Sequence, residues 1–396
     1  MAIPTPGRRL AVVDSHFPWK QSGFRYWENY EIYHQRPDTL FFATNPYSDP
    51  MGNVVSSDFP TPVHHISQLI PMIVSEKITD IYCVFLNMAV SLIGNTRLSN
   101  GVTILESRPE LNILPLIYAR NIKLHTTIYP GGGLSPYTPL ELCLLDKFYS
   151  TIFTNIQEVR THYPTSIYVP GMINTEIYSL KPKPQTPPLN LLFSAHLGLR
   201  KNFHQMAEAF NQLDDSFHLH IVGNWHDYLH LLTNHNYTFH DLLDPEQAAQ
   251  IYQQAHVFIS CSKADWGALD GFPTTTAGDA MSTGCILVSN NHRQDRFVLQ
   301  SGIDYLEITE NRSLVDHLRW IKDHYDEGLS IGKNGTDKIR SLYASKVVVS
   351  TKLKAMGLII DNEHGSRTDE QSDSTTDVTT DEIAGTNEGP AKPSVS

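Results

Sequence analysis

Three hydroxyl-bearing residues in a row, Thr274, Thr275 and Thr276, follow a loop that ends Asp270-Gly271-Phe272-Pro273. They open a segment of helical character that runs to Gly284. The first turn of a helix leaves backbone N–H groups without partners and carries a partial positive charge, so phosphate is its natural guest. Gly271 lets the backbone come close to a ligand, and the threonine hydroxyls add donors. Asp279, one turn further on, places a carboxylate that can accept hydrogen bonds from a ribose. A plainer purpose is served equally well: Thr276 and Asp279 form a T-x-x-D capping box, which needs no ligand. A second chemical candidate is the basic loop Leu199-Arg200-Lys201-Asn202, which by itself reads as a solvated loop.

The elements that must position these groups are legible around them. His256 to Cys261 and Cys285 to Ser289 are short apolar runs flanking the threonine helix, a strand–loop–helix–strand unit that implies a parallel sheet. Upstream, Leu189 to Ser194 is a buried strand that leads through the basic loop into a helix with Phe203, Met206, Ala207 and Phe210 at helical spacing. Leu219 to Val222 is a strand ended by Gly223-Asn224, and Pro245 to Gln254 is a helix with proline in its first turn. Leu314 to Tyr325 and Lys338 to Ala355 read as later helices.

The first half alternates in the same way. Strands are expected at Arg9–Asp14, Leu40–Ala43, Ile78–Leu86, Ile122–Tyr129, Thr151–Thr154 and Ser166–Val169, and helices from about Phe24, over Leu111–Ala119 and over Ile156–Tyr163. Between the halves lies Lys181–Pro188, KPKPQTPP, whose four prolines suit a stiff, exposed linker. The expected division is a Rossmann-like unit over 1–183, the linker core 184–188, a second Rossmann-like unit over 189–360, and a disordered Ser/Thr-rich acidic tail over 361–396.

Charge narrows the partners. The net charge is −12 over 396 residues, but nine acidic against two basic residues from Asp361 onward place −7 of it in the tail. Nothing argues for a nucleic-acid partner. The four cysteines, Cys83, Cys143, Cys261 and Cys285, form no C-x-x-C pair, and the nineteen histidines show no H-E-x-x-H spacing, so no metal is inferred. A reduced, cytoplasmic location is expected. No apolar run reaches the ~18 residues of a membrane span, so any membrane contact is peripheral.

Four segments in order, "FSAHLGLRKNF", "LHIVGN", "EQAAQIYQQAHVFISCS" and "DGFPTTTAGDAMSTGCILVSN", resemble the donor-binding domain of GT-B glycosyltransferases, most of all retaining glycosyltransferase family 4. The resemblance covers about residues 189–345. In outline it extends to the first half, through "STIFTNIQEVRTHYP" and "SIYVPGMINTEIY". It implies two Rossmann-like doubly wound domains facing one cleft, with the nucleotide sugar mainly on the second and the acceptor on the first.

The resemblance also distributes roles. Lys201 falls on the lysine that holds the donor diphosphate, His196 stands where the family usually has arginine, and Arg200 supplies the neighbouring charge. Fixed positive charge there stabilises the leaving group as the sugar bond breaks. Asp279 falls on the second acid of the family's acid-x7-acid motif, a ribose ligand. The position of the first acid is Gly271, while Asp270 precedes G-F-P as the family's glutamate does. Lys201, Arg200 and Asp270 are thus the implied catalytic residues. Ser22, Gly23, His196, Gly223, Asn224, the stretch Gly271, Phe272, Pro273, Thr274, Thr275 and Thr276, and Asp279 are the implied donor contacts. On the acceptor side stand Tyr129, Gly131 and Gly132 of Y-P-G-G-G, which equally suit a mobile loop. His125 reads first as a strand histidine, and His16 and Arg25 are weaker candidates.

The implied reaction is transfer from a UDP-, GDP- or dTDP-sugar to a glycan, lipid-linked or protein-linked saccharide hydroxyl, retaining and metal-independent, in polysaccharide biosynthesis. The domains would close about Lys181–Pro188 to expel water. The alternatives are an inverting, rhamnosyltransferase-like enzyme with a base in the first domain, and a non-catalytic nucleotide- or glycan-binding protein.

Overall fold

The computed structural model describes residues 3–93, 98–99, 104–105, 112–129, 134, 137–184, 186–263 and 271–361. Two parallel sheets organise it. The first contains β1 (Leu10–Phe17), β2 (Leu40–Pro46), β3 (Val63–His65), β4 (Asp80–Cys83), β5 (Lys123–Ile128), β6 (Tyr149–Thr154) and β7 (Ile167–Tyr168), in the order 7-6-5-4-1-2-3. The second contains β8 (Leu189–Ser194), β9 (Phe217–Val222), β10 (Tyr237–Phe239), β11 (Val257–Ser260), β12 (Ile286–Ser289) and β13 (Leu306–Glu307), in the order 10-9-8-11-12-13. All pairings within both sheets are parallel. Both place the first strand of each unit beside its fourth, the arrangement in which ligands sit past the carboxyl ends of the central strands.

Why the strands read as apolar runs follows from burial on both faces. In β1, Ala11 and Val13 pack into one core, with Ile73 and Ile81, while Leu10 and Val12 pack into another, with Tyr26 and Ile32. In β8, Leu191 and Phe193 meet Phe203 and Phe210, while Leu192 meets Tyr252 and Met281 on the other face. Towards the edge, β9 alternates buried and half-buried residues, as one-sided cover requires.

Two expectations about the last described helices fail for physical reasons. One helix was expected over Lys338–Ala355, but two are present, Tyr325–Leu342 and Ser345–Ala355. The first begins earlier than its sequence suggests because Gly328, Gly332 and Gly335 weaken helical propensity. Packing requires them. A Cβ on Gly332 would lie 3.0 Å from Ile286, and one on Gly335 would lie 2.3 Å from the Asp304 carbonyl oxygen. The second helix leaves the second unit altogether: Val348, Val349 and Leu353 pack into the first domain's core with Leu10 and Val12. Residues 345–360 therefore cover the first sheet, although the sequence groups them with the second unit.

The chain crosses between the domains at two adjacent places. Met172 packs in the first domain and Ile173 in the second, while Tyr343 packs in the second and Val348 in the first. Ile173 and Tyr343–Ser345 are bonded to each other, through Ile173 N to Tyr343 O (2.8 Å) and Ser345 N to Ile173 O (3.0 Å). Lys181–Pro188, expected to be the hinge, runs along the second domain instead. Lys183 Nζ donates to the Tyr252 carbonyl (3.1 Å), and the Pro184 carbonyl lies 3.0 Å from His256 Nε2. The tail from 362 onward, Gln185, Gly131, Gly132 and Asp270 lie outside the described residues.

Candidate functional site

A cavity of about 400 Å³ opens between the domains, past the carboxyl ends of both sheets. Its second-domain wall is built first. β8 ends at Ser194, and the loop Ala195–Gly198 turns outward from it. A short turn, Leu199–Lys201, then presents Arg200 and Lys201 to the cavity before the helix Phe203–Phe210 begins. The turn is anchored from behind. The Arg200 carbonyl accepts from Lys263 N (2.8 Å), and Asn202 and Asn290 both donate to Gln205 Oε1, at 2.8 and 3.2 Å.

Gly223 makes this arrangement possible. Its φ is +125°, and an added Cβ would lie 2.0 Å from the Ala195 carbonyl oxygen. That same oxygen accepts from the Trp225 indole (2.8 Å), and Asn224 Oδ1 accepts from Leu197 N (2.7 Å). Gly223 and Asn224 do not line the cavity; they hold the loop that carries His196, which does.

Opposite the basic turn stand Gly271, Pro273, Thr274 and the start of the helix Thr275–Ser282. Thr274 is the N-cap residue, and its side chain makes no capping hydrogen bond. Thr276 lies inside the helix, so the Thr276–Asp279 capping box does not form. The first-turn N–H groups thus meet the cavity with their partial positive charge. Phe272 does not line it; its ring packs on Tyr305 at 5.0 Å. Asp279 is buried beneath, close to the Tyr178 and Tyr252 phenols, whose proton affinity it raises further. Burial pushes the Asp279 carboxyl well above the usual carboxylate range, and it has no hydrogen bond among the described residues.

The first-domain wall has a different make-up. Phe24 and Tyr129 line it, with ring centroids 4.6 Å apart. Tyr129 stands on a buried polar network. Lys352 Nζ, from the helix that returns to the first domain, lies within hydrogen-bond distance of Glu28 (2.6 Å), Tyr129 (2.7 Å), Tyr82 (3.0 Å) and Thr127 (3.0 Å), which share its three donors. Tyr82 donates to Glu28 at 2.6 Å, and Tyr129 donates to the other Glu28 oxygen. Lys352 is 2 % exposed and Glu28 fully buried. Burial lowers the Lys352 ammonium's proton affinity, and Glu28 acts against that shift. Asn155, Gly171 and Met172, at the ends of β6 and β7, continue this wall, and Ile173 and Tyr343 of the crossings close the cavity.

The structure thus brings together His196, Arg200, Lys201, Gly271, Pro273, Thr274, Thr275, Thr276 and Tyr129. It sets other sequence candidates apart. Ser22 donates to the Trp19 carbonyl (2.6 Å), and Gly23 (φ +64°) only turns the chain into the helix that begins with Phe24. His125 is buried mid-strand, with Nε2 3.0 Å from Asp80. Burial keeps its imidazole below the ordinary histidine range, so it is a neutral structural residue, far down the sheet from the cavity. Arg25 pairs with Asp14 at 2.9 Å and donates to the His16 carbonyl (2.6 Å), which fixes the end of β1. Asp270, Gly131 and Gly132 have no described position. Asn155 and Gly171 were missed, although both follow strands and the strand-end rule points to them. Phe24 was one residue from a candidate. Tyr343 carried no signal, because its place depends on the return crossing.

Among the described residues no carboxylate lines the cavity, no group of three or more His, Cys, Asp or Glu is arranged to hold a metal, and no helix is long and apolar enough to cross a membrane. The arrangement suits an anion held between a cationic turn and a helix start, beside an aromatic face.

Residues 175–338 match the sequence model of the family described as Glycosyl transferases group 1. No curated protein matches the chain by sequence. Among solved structures, Anabaena HepE in complex with UDP-glucose is similar over 88% of this chain and 99% of its own, at 12% identity and a TM-score of 0.62. Sucrose-phosphate synthase from Thermosynechococcus elongatus is similar over 88% and 98%, at 12% identity and a TM-score of 0.64. A glycosyltransferase from Rickettsia africae is similar over 88% and 98%, at 10% identity and a TM-score of 0.63. The fold is GT-B.

Proposed function

We propose that this GT-B chain is a glycosyltransferase that moves a sugar from a nucleoside-diphosphate sugar to a saccharide hydroxyl. One observation carries the reading: Arg200 and Lys201 face the uncapped start of Thr275–Ser282 across a single cavity. Fixed charge and oriented N–H groups on two sides of one space suit a diphosphate better than a neutral ligand. The family match over 175–338 covers this wall, and HepE, of the same fold, is bound to UDP-glucose.

In this reading Lys201 and Arg200 stabilise the negative charge that develops on the departing diphosphate. The N–H groups of Thr275 and Thr276 add fixed dipoles that need no reorganisation. Because these groups neutralise the leaving group, the transfer is proposed to run without a metal. Asp279, buried beneath the cavity wall and with a carboxyl that has no hydrogen bond among the described residues, is proposed to meet the ribose only when the nucleotide binds. Phe24 and Tyr129 offer the acceptor sugar an aromatic face. Front-side attack, with retention at the anomeric carbon, needs no protein nucleophile, and positioning does most of the catalysis. UDP is the proposed nucleotide, and the paired crossings at Ile173 and Tyr343–Ser345 are the proposed pivot of domain closure. The acceptor is a cell-surface or lipid-linked glycan, made on the cytoplasmic side.

The test is a thermal-shift screen against UDP, GDP, dTDP and their sugar conjugates, first with EDTA and then with magnesium. A ligand that binds only the native state must raise the melting temperature. A shift with UDP and UDP-sugars in EDTA, followed by transfer to a glycan, supports the reading. No shift with any nucleotide at millimolar concentration overturns it.

A further inference from the structure

Behind the crossings, on the side away from the cleft, lies a groove of about 810 Å³. One wall is the exposed face of the helix Phe24–Gln35, where Trp27, Tyr30 and His34 follow at helical spacing. Their rings form a ladder, with centroids 5.6 Å apart from Trp27 to Tyr30 and 4.4 Å from Tyr30 to His34. Trp27 and Tyr30 also pack against the first domain's core, so the ladder is fixed. The other wall comes from the crossings: Asn174 and Glu176 on one, Ser345 and Lys346 on the other.

The polar groups of the groove fall into two sets. Its floor is satisfied internally. The Gln35 amide donates to Glu31 Oε1 (2.8 Å) and to the Lys346 carbonyl (3.0 Å), and Ser350 donates back to Gln35 Oε1 (2.8 Å). Its walls are not. Among the described residues, the Trp27 indole N–H, the Tyr30 hydroxyl, the Glu176 carboxylate and the Lys346 ammonium make no hydrogen bond or ion pair. A rigid floor with aromatic rings and unused donors and acceptors at its rim is a surface made for a ligand with both C–H faces and hydroxyls.

We propose that this groove is a second carbohydrate-binding site, which takes a stretch of neutral oligosaccharide. Charge argues against a phosphorylated ligand, because Glu31 and Glu176 oppose Lys346. The unused polar groups argue against a lipid chain, which would bury them without partners. Asn174 follows Ile173 directly and Ser345 lies two residues after Tyr343, so the groove and the cleft share the crossings as a common wall. On the reading of the chain as a glycosyltransferase, the groove tethers a long glycan on the far side of the crossings from the cleft.

The test is saturation-transfer NMR and calorimetry with maltohexaose, cellohexaose, mannohexaose and N-acetylchitohexaose, with no nucleotide present. The outcome is therefore independent of whether the cleft takes UDP. At least one hexasaccharide should bind at millimolar concentration, and Trp27→Ala should weaken it by about tenfold or more, as loss of a central aromatic contact does. Glu176→Ala and Lys346→Ala, both at exposed positions, give a readout that survives if Trp27→Ala does not fold, and each should weaken binding several-fold. Absence of binding by all four sugars, or binding that none of the three substitutions alters, overturns the proposal.

Discussion

The second-domain wall of the cleft is backbone and fixed charge set directly on strand ends, whereas the first-domain wall is two aromatic rings standing on a buried ion network. Arg200 and Lys201 sit on a three-residue turn one step from β8, and the facing helix start needs no support beyond its own geometry. The Tyr129 hydroxyl is held by Glu28, from the first helix, and by Lys352, from a helix more than three hundred residues after that one. The difference teaches where the two walls are vulnerable. The charged wall can lose a side chain and keep its shape. The aromatic wall cannot lose its support without leaving a charge in the core.

Lys352→Met is the sharpest way to break the comparison. Removing one partner of a buried ion pair typically costs about 3–5 kcal/mol, because the other is left uncompensated. Urea unfolding should show a loss of that order, and Lys352→Met combined with Glu28→Gln should recover much of it. A Lys352→Met protein of wild-type stability would mean that the aromatic wall does not depend on this network.

Lys201→Ala should do the opposite. A transition-state contact of this kind is worth roughly 10²–10³ in kcat, so turnover of a nucleotide sugar should fall by that order while the unfolding curve stays in place. Unaltered turnover would remove the diphosphate assignment.

Gly223→Ala probes how the charged wall is shaped. Its Cβ would meet the Ala195 carbonyl at 2.0 Å, in a backbone region that side chains avoid. A cost of about 1–3 kcal/mol follows from strain and overpacking, with weaker nucleotide binding because the His196 loop shifts. Calorimetry on the folded variant checks both.

Asp279→Asn should have the smallest effect and a mixed sign. The native carboxyl holds its proton to higher pH than the unfolded one, so the native state binds more protons as pH rises above about 4. Stability is then lost with rising pH, until the native carboxyl itself titrates. The asparagine variant lacks this loss. It should melt above wild type at pH 8, with a smaller difference at pH 5, yet bind nucleotide less well. A variant equal to wild type at both pH values and in nucleotide affinity would assign Asp279 no role in either.

How far the sequence reached can be judged from the same two walls. Thr274 to Thr276 were legible because a helix start announces itself locally, whereas Arg200-Lys201 reads as a solvated loop until the family resemblance gives it a role. The helix start is a local property, and its phosphate-ready geometry travels with the sequence. His125, which reads first as a strand histidine, is placed by the sheet register beside Asp80, and it does not line the cavity. The hinge was misplaced because proline content marks exposed chain but not where two cores part. Tyr129 is singled out with the Y-P-G-G-G stretch that follows its strand, and it does line the cavity; Phe24 carries no motif, since aromatic residues serve equally in cores and in clefts.

The sequence by itself determined the alternation of strands and helices, the parallel sheets that follow from it, and the helix start at Thr274–Thr276, because burial on both faces and helix-end chemistry are set over ten or twenty residues. Only the tertiary structure decided the pairing of Phe24 with Tyr129, the facing of Arg200 and Lys201 on the helix start, the paired crossings at Ile173 and Tyr343–Ser345, and the return of Lys352 to Glu28. Those contacts join residues far apart in the chain, and their free energy comes from removing charge and apolar surface from water together, which no local pattern records.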